Sequence, residues 1–173
     1  MSFPLSRIAP TQCMKGFRNQ CLRGDVHDPR SAMTGQVAGH AGLFSDAYDL
    51  AVMAQMLLNK GYLNGQRFLN SKTVDLFTSY QSDISRRGIG WDKPTKDEPG
   101  DPHSYPTEYC SPQTFGHYGF TGTAVWIDPK YHFVYVFLSN RVNPDGRSVL
   151  EHLDVRSKVQ TAFYKAMGVK GKG

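Results

Sequence analysis

A histidine, a tyrosine and three glycines share the eight residues Gly116-His117-Tyr118-Gly119-Phe120-Thr121-Gly122-Thr123. On an edge strand beside a cleft, Gly119 leaves no side chain between a bound acyl group and the backbone. The N–H of Phe120 can then point at an oxyanion as it develops, which is how backbone donors stabilise a tetrahedral intermediate. His117 would add a polar or cationic group beside that cleft. A Gly-rich strand that twists at a bulge and carries a surface histidine explains the same letters. Spacing alone leaves both readings open.

Other runs offer weaker chemistry. Gly39-His40-Ala41-Gly42-Leu43-Phe44-Ser45 is either a tight turn feeding a helix or a Gly-rich loop able to hold an anion. Val26-His27-Asp28-Pro29 sets a histidine beside a carboxylate, but neighbours on an extended chain point to opposite sides. Asp28-Pro29 reads more simply as turn chemistry. No Gly-x-Ser-x-Gly elbow is present, and no serine among the 173 residues is followed three positions later by lysine.

The odd count of three cysteines, Cys13, Cys21 and Cys110, leaves at least one outside any intramolecular disulfide. With no Cys-x-x-Cys pair and no His-x-x-x-His pair among six histidines, buried or free thiols are expected, with no metal site and no cofactor. Hydrophobic residues make up 39% of the chain and charged residues 20%, ordinary for a globular protein. The net charge of +5 includes Lys165, Lys170 and Lys172 of the tail and forms no basic stripe with interleaved aromatics, which argues against nucleic acid as a partner. No apolar run approaches the ~20 residues of a membrane span. The first residues, Met1-Ser2-Phe3-Pro4-Leu5-Ser6-Arg7, lack the apolar core of a signal peptide.

The elements that must position His117 follow from periodicity. Residues 1–36 are punctuated by Pro and Gly and read as irregular. Residues 45–78 are helical: Ser45 caps a helix bearing Leu50, Met53, Ala54, Leu57 and Leu58, and Gly61 ends it. Asn64-Gly65 makes a tight turn, and Ser71 caps a shorter helix with Val74, Leu76 and Phe77. Residues 80–114 form a long loop holding five of the ten prolines, with a short strand expected at 88–91. A β-meander covers 115–139, with strands at 115–121, 123–127 and 132–138. Residues 148–167 read as one terminal helix with Leu150, Leu153, Val159, Phe163 and Met167 inward. The whole is α+β: an antiparallel sheet flanked by helices.

In order and spacing these runs resemble the later part of the serine β-lactamase and penicillin-binding-protein-like family, in the branch nearest the class C enzymes. Gly39 to Leu50 resembles the family's Gly-rich loop and capped helix, and His117-Tyr118-Gly119 its Lys-Thr-Gly strand with histidine for lysine. Phe120 to Pro129 resembles the strand pair that follows. Ile8-Ala9-Pro10-Thr11 with Val26-His27-Asp28-Pro29 is similar to a bacterial subgroup sometimes joined to a family 3 glycoside hydrolase. The resemblance implies a partial β-lactamase/transpeptidase-like fold, residues 1–173 being the C-terminal portion of that domain.

It also implies a mechanism. A serine, with lysine three residues on, attacks a lactam or peptide carbonyl to give an acyl-enzyme. His117 would stand in the lysine position, Tyr118 in the hydroxyl position and Phe120 as oxyanion donor, with Gly119 and Thr121 lining the substrate. Tyr62-Leu63-Asn64 matches the family's Tyr-x-Asn only by letter, since it sits in a hairpin after the capped helix. The nucleophile is expected ahead of Met1, so this chain by itself is expected not to turn over β-lactams, peptidoglycan peptides or esters. The alternatives are a non-catalytic cell-wall binding module attached to a glycosidase, and an unrelated α+β binding protein. A sheet lacking its N-terminal strands would expose edges and favour self-association. Location in the periplasm or cell envelope is implied by the resemblance alone.

Overall fold

From Phe115 to Phe137 large apolar residues alternate along extended segments, and the pleat sends them to two opposite faces. The computed structural model, which describes residues 3–95 and 105–171, resolves this region into β3 (Phe115–Tyr118), β4 (Ala124–Asp128) and β5 (Phe133–Phe137). They form an antiparallel sheet in the order β3-β4-β5, with His117 opposite Val125, Tyr118 opposite Ala124 and Ile127 opposite Val134. The chain divides into two compact units: Met1–Asp46, Gly119–Thr123 and Leu138–Leu153 make the first, and Ala47–Tyr118, Ala124–Phe137 and Asp154–Gly173 the second.

The second unit holds the sheet. On one face Phe115 and Ile127 pack with Ala54, Leu57 and Leu58 of α2 (Ala47–Leu58) and Val74 of α3 (Ser71–Thr78), with Val125 and Val134 at the margin. On the other face Ala124, Trp126 and Tyr135 pack with Tyr118, Phe133, Phe137 and Val159 of α5 (Val155–Ala166). Gly116 is required by this second face: a Cβ there would fall 2.6 Å from the Trp126 indole and 2.2 Å from the Val125 carbonyl oxygen. α2 stops at Gly61, whose φ of +88° is left-handed and whose N–H donates to the Met56 carbonyl. Asn64 and Gly65, at φ +47° and +81°, turn β1 (Tyr62–Leu63) into β2 (Gln66–Arg67).

Several local expectations shift. The first strand ends at Tyr118, so Phe120 and Thr121 lie in a turn rather than on a strand. Residues 88–91 are also a turn: Gly88 N–H donates to the Trp91 carbonyl, Gly90 has φ +76°, and the extended pairings fall outside them, Arg87 with Asp92 and Asp92 with Gly116. The cap of α3 is Asn70, one residue before Ser71, its side chain accepting from the Lys72 N–H. α2 begins at Ala47, and the Ser45 hydroxyl donates to the Asp46 carbonyl instead of capping. The expected terminal helix is two helices, α4 (Val149–His152) and α5, broken where Asp154 takes φ +49°. That break resets the helical phase: α5 buries Gln160 and Tyr164, whereas Phe163 and Met167 are about half exposed at 51% and 46%. Residues 96–104 of the long loop lie outside the described residues.

The first unit has little regular structure and few buried apolar side chains, chiefly Leu22, Val26 and Val142. Cys13 and Cys21 are joined in a disulfide, which the odd count of cysteines left open, and Cys110 of the second unit is a buried thiol whose Sγ donates to the Thr107 carbonyl. Residues 1–36 are not wholly irregular. Asp28 accepts from the Ser31 N–H and caps α1 (Pro29–Met33), whose Pro29 sits where a missing N–H costs nothing.

Candidate active site

His117 leaves β3 on the α2 side of the sheet, beside Phe115, and is half exposed. Its Nδ1 is 2.7 Å from the Tyr118 carbonyl oxygen. A carbonyl only accepts, so Nδ1 carries the hydrogen. Nε2, left with its lone pair, accepts from Arg87 Nη1 at 2.9 Å. The Asp92 carboxylate, 3.8 Å from the same nitrogen, is beyond hydrogen-bond reach. His117 is therefore a neutral imidazole locked between a carbonyl and a guanidinium, and it supplies no charge of its own.

The charge belongs to the group around it. Asp92 is buried, its backbone paired in both directions with Gly116. Its Oδ2 accepts from the Tyr105 hydroxyl at 2.9 Å and lies 3.6 Å from Arg86 Nη2. Its Oδ1 is 2.8 Å from Arg87 Nε, a contact of opposite charges in which the N–H is not aimed well enough to count as a hydrogen bond. The Arg86 guanidinium also lies over the Tyr105 ring, 4.2 Å from its centre. Burial first, then the Asp92 charge, pushes the Tyr105 hydroxyl far above its ordinary range, so it remains a donor.

Tyr118 does not join His117. As the next residue on the strand it points to the opposite face, where its hydroxyl meets Ser157 Oγ at 3.1 Å and Arg156 lies over its ring. Burial pushes its pKa up to about 12, partly offset by the Ser157 bond. A hydroxyl committed to α5 is not available to a substrate beside His117.

The remaining candidate residues belong to the first unit. Gly119 N–H donates to the Thr123 carbonyl and Gly122 N–H to the Gly119 carbonyl, closing a tight turn. The space a side chain would need at Gly119 is filled by Thr123 Oγ1, at 2.1 Å from an ideal Cβ, so the glycine serves the turn rather than a substrate's approach. Arg141 clamps this turn: its Nε donates to the Phe120 carbonyl at 2.6 Å, its backbone N–H to the Thr121 carbonyl at 2.9 Å, and its guanidinium lies over the Phe120 ring. The His27 ring stacks on Phe120 with centres 5.3 Å apart. His27 is fixed by Gln12 Oε1 at 2.5 Å, and burial, then the Arg18 charge, lowers its pKa, favouring the neutral ring. The Phe120 N–H itself meets no acceptor among the described residues.

Asp28 does find a histidine, but a distant one. His40 Nε2 lies 3.0 Å from Asp28 Oδ1 and 3.1 Å from Ser31 Oγ. A proton relay needs the serine and the carboxylate on different ring nitrogens. Sharing one, this trio ties the Gly39–Gly42 stretch to the α1 cap and is not a triad. The Ser31 N–H, then His40, holds the Asp28 carboxyl down at about 2. Among the described residues no group of three or more metal-ligating side chains gathers.

A family model described as Beta-lactamase matches residues 9–159. The chain belongs to the beta-lactamase family. Relatives include proteins named "Putative D-alanyl-D-alanine carboxypeptidase" from Salmonella enteritidis PT4 (strain P125109) and from Salmonella typhi, each 41% identical over 128 residues. That match takes in 72% of this chain but 28% of the relative, so the chain spans little more than a quarter of their length. Among solved structures, the "Putative 6-aminohexanoate-dimer hydrolase from Bacillus anthracis" superposes with a TM-score of 0.50 at 22% identity, over 74% of this chain and 30% of that one. This likeness concerns the fold, and its partial coverage fits an α+β, partial beta-lactamase fold.

Arg86, Arg87, Asp92 and Tyr105 were not legible as partners of His117. The only hint was an aspartate directly after Trp91, separated from the paired Arg86-Arg87 by four uncharged residues.

Proposed function

We propose that this chain is the part of an acyl-serine hydrolase that presents the H-x-G strand and the oxyanion N–H, for substrates with a peptide-type amide, a β-lactam or an ester. The observation that carries the reading is the Phe120 N–H, left without an acceptor among the described residues in a turn whose other groups are tied by Arg141, Ser139 and Thr123. Such a donor stabilises developing negative charge only when a nucleophile attacks beside it. The sequence holds no Ser-x-x-Lys, so the chain by itself is inactive in this reading. The names of the Salmonella relatives support peptides ending in D-alanine as the substrate class. Their 41% identity and the Cys13–Cys21 disulfide support a periplasmic or cell-envelope setting, where disulfides persist.

No hydrolysis of nitrocefin or of a p-nitrophenyl ester by the 173-residue chain is expected; clear turnover sinks the proposal. The codons upstream of Met1 decide between this reading and a cell-wall binding module, which the missing nucleophile equally favours. An intact Ser-x-x-Lys in frame supports the enzyme, and a degenerate one the module. Self-association through the apolar residues left exposed on α3, Leu76 at 53% and Phe77 at 41%, is part of the proposal. A clean monomer at micromolar concentration in size-exclusion chromatography removes it.

A further inference from the structure

In the first unit a disulfide-closed hairpin holds the ring that stacks on Phe120. Residues 11–22 fold back on themselves: Thr11 N–H donates to the Leu22 carbonyl, Leu22 N–H to the Gln12 carbonyl and Met14 N–H to the Gln20 carbonyl. The Cys13–Cys21 bond closes this pair across eight positions. Both ends of the hairpin reach His27. Arg18, near the tip, donates to the Val26 and His27 carbonyls at 2.5 and 2.6 Å. Gln12, at the base, accepts from His27 Nε2 through its Oε1 at 2.5 Å. An amide oxygen only accepts, so Nε2 carries the hydrogen and Nδ1 keeps the lone pair. The Cys13 N–H also donates to the Pro144 carbonyl, on the loop that follows Arg141. Phe120 itself is 68% exposed. Among the described residues its ring is met by His27 and by the Arg141 guanidinium, so the support of the turn is narrow.

We propose that the Cys13–Cys21 hairpin, acting through His27, is a redox-controlled brace for the Phe120 turn, holding the Phe120 N–H in place only while the disulfide is closed. This rests on the oxyanion reading of that N–H and adds regulation to it. His27 is a positioning residue, since it acts through the Phe120 ring. Both cysteines are exposed, within reach of a dithiol. One thiolate of the dithiol attacks the disulfide, and its second thiolate resolves the mixed disulfide. The S–S bond breaks to two thiols, two electrons and two protons pass to the protein, and the dithiol closes to its own disulfide. The backbone bonds must then hold the hairpin alone, and a short two-stranded hairpin is marginal in water. Acid works on the same contact. Protonation at Nδ1 sets a further cation beside Arg18 and Arg141, against the Asp28 carboxylate.

The test is NMR on the ¹⁵N-labelled 173-residue chain, oxidised and after treatment with dithiothreitol. It reads the heteronuclear NOE and the shift of the Phe120 and Thr121 amides, with β3 as the folding control. Reduction is expected to drop both NOE values to those of a free loop while β3 stays unchanged, and reoxidation to restore them. His27→Ala should give the same loss with the disulfide closed, and reduction should then add little. His27→Phe, which keeps a ring but no Gln12 bond, should recover part. In the oxidised chain the Phe120 shift should titrate with a midpoint below the ordinary histidine value of 6.5, a step absent from His27→Ala. A Phe120 amide unmoved by reduction overturns the proposal. So does a reduction effect of full size in His27→Ala, which routes the coupling around the histidine. The oxyanion reading fails separately: a Phe120 amide that exchanges slowly with deuterium is already bonded, and that reading falls whatever reduction does. The wild-type redox arms decide the question even if His27→Ala fails to fold.

Discussion

The two faces of the β3-β4-β5 sheet solve the same burial problem with different chemistry. The α2 face is aliphatic, closed by Ala54, Leu57, Leu58, Val74, Phe115 and Ile127. The α5 face is aromatic and hydroxylated, with Trp126 edge-on to both Tyr105 and Tyr118. It also buries the Asp128 carboxylate, which accepts from Ser111 N–H and Oγ, from the Lys130 N–H and from the Tyr164 hydroxyl. An aliphatic face tolerates small changes in shape, because nothing in it must be satisfied by direction. A polar face fails sharply when one partner goes, because each buried donor left behind keeps its full desolvation cost. The difference matters for function: Arg86, Asp92 and Tyr105 hold the His117 arrangement, and Tyr105 packs into the aromatic side.

The largest expected effect is Trp126→Ala, which removes the ring that Gly116 exists to admit and should cost about 4 kcal/mol in urea unfolding. Asp128→Ala should follow at about 3 kcal/mol, through four orphaned donors rather than through lost volume. A loss below about 1 kcal/mol would show that the α5 face is held by its rings alone.

Lys93 sharpens the comparison by pH. It is buried, its ammonium donates to the Gln113 carbonyl, and desolvation lowers its pKa to about 8 from 10.5, with the nearby Asp128 charge pulling the other way. Between those two values the unfolded chain holds a proton that the folded chain has released, so stability rises with pH across that window, at about 1 kcal/mol per pH unit at most. Below pH 8 both forms are protonated and the dependence vanishes. Lys93→Met should flatten the rise in the urea midpoint between pH 8 and 9.5. The raised tyrosine pKa values act oppositely, and only above pH 10.

Smallest are the paired conservative changes. Ile127→Val on the aliphatic face and Tyr164→Phe on the polar face should each cost about 1 kcal/mol by chemical denaturation. A Tyr164→Phe cost well beyond its partner's would mark the Asp128 cluster as cooperative.

How much was legible depended on the range of the interaction. The meander, the Gly61 stop and the Asn64-Gly65 turn were readable because pleat parity and left-handed φ are local properties. The caps were misplaced by one residue at both Ser71 and Ser45, since several polar residues compete for one helix end. The split at Asp154 was invisible, because Leu150, Leu153 and Val159 continue an apolar spacing across the left-handed residue. Among the site residues, sequence located the His117 strand. It missed the partners of His117, the Tyr118 face and the reason for Gly119.

By itself the sequence determined the elements, the antiparallel meander and the lack of Ser-x-x-Lys, because backbone sterics and side-chain period act over a few neighbouring residues. Tertiary structure alone decided that His117 meets Arg87, 30 positions away, that Tyr118 faces α5, and that Cys13 closes on Cys21. Tautomer, ion pairing and disulfide choice depend on which groups meet in space, and burial sets the strength of each meeting.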